Sequence, residues 1–300
     1  MKILLSGGTG FLGQAITKLL TSEKHEVFIL TRNPDQPKAA NQVHYVEWLT
    51  ENAAPEEKLP SIDAVINLAG ESINNGRWSD EQKRKIYDSR MNATDEILRI
   101  IQQLESPPSV LVNASAVGYY PTSETKIYTE QSIEQGEGFL SQTVVDWEKK
   151  AMLAEDHGVR VACARFGIIL GKEDGALPNM ALPYKLMAGG TVGSGRQWLS
   201  WIHHEDAARA VLFAIEKSIE GPFNVTAPNP MRMKEFGETL AKVLNRPHWI
   251  PAPGFALKLA LGDKSALVLE GQKVLPNVLK NKGFTFLYPA LNEALREIYS

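Results

Sequence analysis

The chain has 300 residues, 43% hydrophobic and 22% charged, enough apolar material for a sizeable core and too much for a disordered chain. Its net charge of −3, with no long run of one sign, gives no reason to expect a nucleic acid or an anionic membrane as partner. One cysteine, Cys163 in an apolar run, excludes a disulfide framework. No apolar run reaches the roughly 20 residues of a membrane span, and the first residues lack the form of a signal peptide, so a reducing, cytoplasmic setting is expected.

Lys2 to Ser6 reads as a short buried strand. Gly7-Gly8-Thr9-Gly10-Phe11-Leu12-Gly13 follows at once, and Gln14 to Leu20 continues at helical spacing. Strand, glycine turn and helix make a seat for a pyrophosphate. Of Gly7, Gly10 and Gly13, one allows the sharp turn, one a close approach to the phosphates, and one close packing of helix on strand. The helix starting there aims free N–H groups and a partial positive charge at an anion. Thr9, Phe11 and Leu12 share the turn and are assigned to the same ligand.

Glu26 to Thr31 reads as a second strand. An NAD-preferring site usually ends this strand in Asp or Glu, to hold the adenine ribose. Here it ends in Thr31-Arg32-Asn33, short neutral groups beside a planar cation suited to a 2′-phosphate. The alternative is a solvated Arg in the turn before Pro34. A third strand, Val43 to Val46, ends near Trp48, which either stacks on adenine or is core. Asp63 to Gly70 reads as a fourth strand ending in Asn67-Leu68-Ala69-Gly70, small residues that let a ligand approach the backbone.

Ser79 with Gln82 looks like a capping box for a long helix that runs past Ile101 and stops before Pro107-Pro108. Ser109 to Ser115 is strand five, and Ala116 to Pro121 the loop after it. Phe139 to Asp156 reads as a helix and Val159 to Phe166 as strand six. Apolar strands alternating with amphipathic helices predict an α/β fold with a doubly wound parallel sheet covered on both faces. The glycines, Arg32, Asn67, Ser115 and Arg165 all fall at strand carboxyl ends, where such sheets bind ligands.

Beyond residue 170 the rhythm changes. Residues 171–195 read as loops and one short helix. Residues 198–206 lead into a helix from Ala207 to Ile215, with Asp206 placed to cap it. A return strand lies near 222–226, another helix spans Lys234 to Leu244, and a helical tail starts near 248. The expected division is a nucleotide-binding domain over 1–170 and a smaller, mainly helical substrate-side subdomain over 171–300.

Several segments together carry a family resemblance. They are Ser6 to Gly13, Asn67 to Glu71, Arg77-Trp78, Ser89-Arg90, Ser115 to Tyr120, Trp147-Glu148, Arg165 to Gly171, Ser200 to His203, Gly271 to Pro276 and Gly283 to Phe286. The chain resembles an atypical extended short-chain dehydrogenase/reductase of the NAD-dependent epimerase/dehydratase group, of the "epimerase family" type with a C-terminal domain of unknown function. The resemblance implies a Rossmann-type domain, a small substrate-side subdomain, NADP(H) as cofactor and a small-molecule substrate. The expected activity is that of an oxidoreductase or epimerase, with a non-catalytic NADP(H)-binding sensor as the alternative.

The chain departs from that superfamily where chemistry is concerned. Its members use Tyr-x-x-x-Lys on the helix after strand five. With Glu148 as anchor, the Tyr slot falls near Leu140 and the Lys slot near Val144. The Arg that UDP-sugar relatives place before their Ile-His segment is Leu199 here, so a nucleotide-sugar substrate is not supported. A hydride transfer to a carbonyl at neutral pH wants a positioned proton donor. The candidates are Tyr119, Tyr120, Ser115 and Glu71. For the two tyrosines the alternative is packing of the loop, and for Glu71 a solvated side chain. Cofactor-binding candidates are Gly7, Thr9, Gly10, Phe11, Leu12, Gly13, Thr31, Arg32, Asn67, Leu68, Ala69, Gly70, Arg90, Ser115 and Arg165. The adjacent His203 and His204 do not have metal-ligand spacing, and no metal is expected.

Overall fold

The computed structural model describes residues 1–34 and 41–300. Seven strands form one sheet: β1 (Lys2–Ser6), β2 (Glu26–Thr31), β3 (Val43–Glu47), β4 (Ala64–Asn67), β5 (Val110–Ala116), β6 (Arg160–Phe166) and β7 (Gly221–Val225). All neighbours run parallel, in the order β7-β6-β5-β4-β1-β2-β3. The chain builds outward from β1 to β3, then returns and builds the other way from β4. That reversal sets the carboxyl ends of β1 and β4 side by side, with Ser6 opposite Asn67, and opens a crevice above them.

The helices are α1 (Phe11–Ser22), α2 (Asp80–Gln103), α3 (Gly138–Met152), α4 (Leu177–Lys185), α5 (His204–Glu216) and α6 (Met233–Leu244). Strand side chains alternate between two cores. Ile3 and Leu5 pack with Ile16 and Leu20 of α1 and with Ala207 and Val211 of α5. Leu4, between them, packs with Ile97 and Ile101 of α2 and Ala151 of α3. The sheet is therefore covered on both faces, as its apolar strands require. Trp48 is buried in the second of these cores.

A third core joins Leu177 and Tyr184 of α4, Trp201, Phe236 and Leu240 of α6, and Leu295 and Ile298 of the final helix, Leu291–Tyr299. The chain between α6 and that helix wraps the molecule. Gln272 Nε2 donates to the Val117 and Tyr120 carbonyls. Asn224 Nδ2 donates to Leu275 O, and the Glu130 carboxylate accepts from the N–H groups of Asn224 and Val278.

Some element ends differ from the sequence reading. Strand β4 stops at Asn67, because Leu68 and Ala69 turn aside to bond the Ser6 carbonyl and hydroxyl. Helix α1 begins at Phe11, with Gly10 as its N-cap. Ser79 caps α2 by accepting from the Gln82 N–H, but the return half of the box does not form, because the Ser79 N–H donates to the Arg77 carbonyl instead. His203, not Asp206, caps α5. Asp206 lies within the first turn, where its carboxylate accepts from the N–H groups of Leu287 and Tyr288 and holds the tail in place.

Candidate functional site

The glycine turn has the geometry its sequence suggests. Gly7 sits at φ +71°, a conformation that side chains resist, and a Cβ there would press to 2.9 Å of the Leu68 backbone. A Cβ on Gly13 would come within 2.1 Å of the Gly7 carbonyl oxygen, so no side chain fits between α1 and the turn. Over Gly10 the nearest atom is that same oxygen at 3.3 Å, which leaves the space above the backbone open. The first turn of α1 has no acidic residue and no side-chain cap, so its N–H groups are free for an anion. The Phe11 ring turns away to cover Gly171, where a Cβ would lie 2.2 Å from it. The cradle fits a pyrophosphate.

Beneath the crevice lies a buried polar floor. Ser6 Oγ donates to Asn67 Oδ1 at 2.6 Å, and Asn67 Nδ2 donates to Asn113 Oδ1 at 2.7 Å and to Thr94 Oγ1 at 3.1 Å. Trp147 Nε1 donates to Thr94 Oγ1 at 3.0 Å. These bonds tie β1, β4, β5, α2 and α3 together under the ligand space. Thr94 and Asn113 are not among the sequence candidates. Their signal is a polar residue at a core position, with Asn113 directly opposite Asn67 in the register of β4 and β5.

At the end of β2, Thr31 Oγ1 accepts from Asn33 N–H at 3.2 Å. Arg32 is exposed and has no partner among the described residues. Arg90, on α2, donates from Nη1 to the carbonyls of Glu71 and Ile86 and lies over the Trp147 ring. A Cβ on Gly70 would meet the Arg90 side chain at 3.1 Å, so this arginine seals the turn after β4. Burial lowers its pKa to about 10, against the pull of Glu71. Glu71 itself is half-buried, and its Oε1 accepts from Asn75 Nδ2 at 2.8 Å.

Around the ends of β5 and β6 the remaining candidates form one cluster. Ser115 Oγ donates to Glu148 Oε1 at 2.5 Å. Arg165, 3% exposed, grips both oxygens of Glu148 at 2.7 Å and donates to the Tyr120 hydroxyl at 2.9 Å. Burial works against the charge on Arg165, and the Glu148 carboxylate outweighs it and keeps the guanidinium protonated. Tyr120, 1% exposed, donates in turn to Asn224 Oδ1 at 2.9 Å. Burial raises its pKa, opposed by Arg165. Tyr119 is different. Its ring lies 3.4 Å below the Arg165 guanidinium, it is half-buried, and its hydroxyl accepts from the exposed Gln135 at 3.2 Å. So Ser115, Tyr120 and Arg165 have their polar atoms engaged inside the protein, while the Tyr119 hydroxyl lies at an edge.

His203 is fully buried. Its Nε2 lies 2.8 Å from Glu297 Oε2, and its Nδ1 accepts from Glu205 N–H. A neutral ring with the proton on Nε2 satisfies both partners, and burial, with His204 adding to it, lowers its pKa to about 4. Among the described residues no three His, Cys, Asp or Glu side chains are grouped to hold a metal ion, and no helix is long and apolar enough to cross a membrane.

The strand order, the crevice at its reversal and the open glycine cradle define a Rossmann-fold nucleotide-binding protein of the short-chain dehydrogenase/reductase type. The chain belongs to the NAD dependent epimerase/dehydratase family, whose model matches residues 3–226; residues 252–298 match a domain of unknown function, DUF1731. It is 52% identical over 299 residues to the epimerase family protein YfhF of Bacillus subtilis (strain 168), covering 99% of this chain and 98% of that one. Among solved structures it is similar to the human epimerase family protein SDR39U1 (isoform2) with NADPH, at 34% identity and a TM-score of 0.88, covering 99% of both chains. It is also similar to a nucleoside-diphosphate sugar epimerase from Corynebacterium glutamicum, at 30% identity and a TM-score of 0.77, covering 99% of this chain and 58% of that one.

Proposed function

We propose that this chain is an NADP(H)-dependent oxidoreductase or epimerase that works without the Tyr-x-x-x-Lys pair. The carrying observation is an open glycine cradle combined with Arg32, in place of an acid, at the end of β2. The human relative solved with NADPH supports the same cofactor. The cradle takes the pyrophosphate on the N–H groups of α1, with Thr9, Phe11 and Leu12 contributing backbone. Arg32 meets the 2′-phosphate and Thr31 the adenosine ribose. Asn67 to Gly70 and Arg90 border the nicotinamide half. When bound, the nicotinamide supplies or accepts a hydride.

Of the four acid/base candidates, Tyr119 suits proton transfer best, because its hydroxyl lies at the edge of the cluster with Gln135 beside it. Ser115, Tyr120 and Arg165 build the wall that holds its ring. Glu71, with Asn75, borders the entrance. The partner is a small molecule, not a nucleic acid or a membrane, and the protein works in the cytoplasm. A second reading, a non-catalytic NADP(H) sensor, is favoured by Leu140 and Val144 at the two slots that are normally ionisable.

Isothermal titration separates the cofactor alternatives. Arg32→Ala should weaken NADPH by about ten-fold or more while leaving NADH nearly unchanged; equal losses would remove the 2′-phosphate role. Turnover of NADPH with a panel of carbonyl compounds, abolished in Tyr119→Phe, supports the enzyme. Tight NADPH binding with no turnover across the panel supports the sensor.

A further inference from the structure

Trp78 and Phe139 belong to none of the four hydrophobic cores, yet both are half-buried and touch each other. Their centroids lie 6.1 Å apart at an interplanar angle of 72°. Trp78 closes the loop that follows β4, and Phe139 stands in the first turn of α3, beside Leu140. Both elements begin at the carboxyl edge of the sheet, and Ser141, two residues on from Phe139, donates to the Tyr119 carbonyl at 3.4 Å. Two large aromatics that pack on each other but on no core form an L-shaped apolar corner. A planar ring placed there stacks on one and meets the edge of the other.

The corner is tied to its surroundings by hydrogen bonds. Trp78 Nε1 donates to Ile73 O at 3.0 Å, within its own loop. Lys264, from the C-terminal tail, donates to the Asn74 and Gly76 carbonyls, and Lys83 pairs with Asp263. The tail thus straps down the loop that carries Trp78.

Charge argues in the same direction. Arg165 is neutralised by Glu148, and Lys83 by Asp263. Leu199, at the position where sugar-nucleotide relatives carry Arg, is 2% exposed in the third core. None of these three positions offers a diphosphate a free cation. Arg77, next to Trp78, is exposed at the rim.

We propose that the substrate is an uncharged aromatic aldehyde or ketone whose ring is held in the corner of Trp78 and Phe139. This rests on the cofactor reading above. In the reductive direction the carbonyl carbon gains a hydride from the reduced nicotinamide, and the carbonyl oxygen gains a proton from Tyr119, which recovers one from water. The carbonyl compound becomes an alcohol and NADPH becomes NADP⁺.

The test is binding, read by saturation-transfer NMR and calorimetry on the full chain saturated with NADP⁺, with 1-naphthaldehyde, 4-carboxybenzaldehyde and UDP-glucose as probes. NADPH affinity is measured first and separately, since its absence would overturn the cofactor reading itself. With the cofactor bound, 1-naphthaldehyde should bind, and Trp78→Ala and Phe139→Ala should each weaken it about ten-fold with NADPH affinity unchanged. Trp78→Phe should restore most of the loss and Arg77→Ala should have no effect. Absence of 1-naphthaldehyde binding, an affinity within two-fold in both alanine variants, tighter binding of UDP-glucose, or tighter binding of the carboxylated aldehyde that is lost in Arg77→Ala would each overturn the proposal.

Discussion

Gly13 and Tyr119 show how much single positions decide. A methyl at Gly13 meets the Gly7 carbonyl oxygen at 2.1 Å and the Gly8 Cα at 2.6 Å, both backbone atoms that cannot give way. Gly13→Ala should cost about 1–3 kcal/mol of stability and abolish dinucleotide binding, measured by denaturant unfolding and calorimetry. The two adjacent tyrosines should separate cleanly. Tyr119→Phe removes a hydroxyl that, among the described residues, bonds only the exposed Gln135, and it should lower turnover about 10²-fold or more with NADPH affinity intact. Tyr120→Phe instead takes a partner from both Arg165 and Asn224, so it should destabilise by about 1–3 kcal/mol while the folded fraction keeps its turnover.

Between elements, the joint of β5, β6 and α3 is ionic. Glu148 receives Ser115 from β5 and both forks of Arg165 from β6, in a region where neither charge meets water freely. Removing one partner strands the other. Glu148→Met should cost about 3–5 kcal/mol in urea unfolding, whereas the double change Glu148→Met with Arg165→Met should recover much of that loss. A single variant as destabilised as the double one would show that packing, not the stranded charge, sets the cost. The cap of α2 is a smaller device of the same kind. Ser79→Ala should cost about 1 kcal/mol in urea unfolding, because the Ser79 hydroxyl is the acceptor for the Gln82 N–H in the first turn of α2.

For the whole molecule, the tail and the body are joined at a titratable contact. His203, on the body side, stays neutral when folded and bonds Glu297 of the final helix. Its pKa is lowered to about 4 from an ordinary 6.5. Between those values the unfolded chain binds a proton that the folded chain refuses, so stability falls as pH drops from 6.5 towards 4. His203→Gln, which can still donate to Glu297, should remove that part of the slope, on the order of 3 kcal/mol across the window. The readout is the difference between the two melting-temperature profiles against pH; parallel profiles would exclude His203 as the group responsible.

The nucleotide half of this protein was legible in the order of its residues, because local physics dictates it. A turn that needs φ +71° at Gly7 and no side chain at Gly13 leaves its mark as glycine spacing, and seven apolar strands between amphipathic helices allow few arrangements. The sequence pattern carries β4 three residues too far, because the Ala69 N–H that ends the strand donates to Ser6 Oγ, 63 residues away. The cluster of Ser115, Glu148, Arg165, Tyr120 and Asn224 depends likewise on contacts between distant strands and helices. No local pattern reveals that these five side chains bond one another in a chain, or that Tyr119, next in sequence to a buried tyrosine, keeps its hydroxyl at the edge. Sequence alone specified the glycine turn and the strand ends gathered around it. Tertiary structure decided which polar side chains are engaged inside the protein and which reach its edge, since that depends on which partners the fold brings within hydrogen-bonding reach.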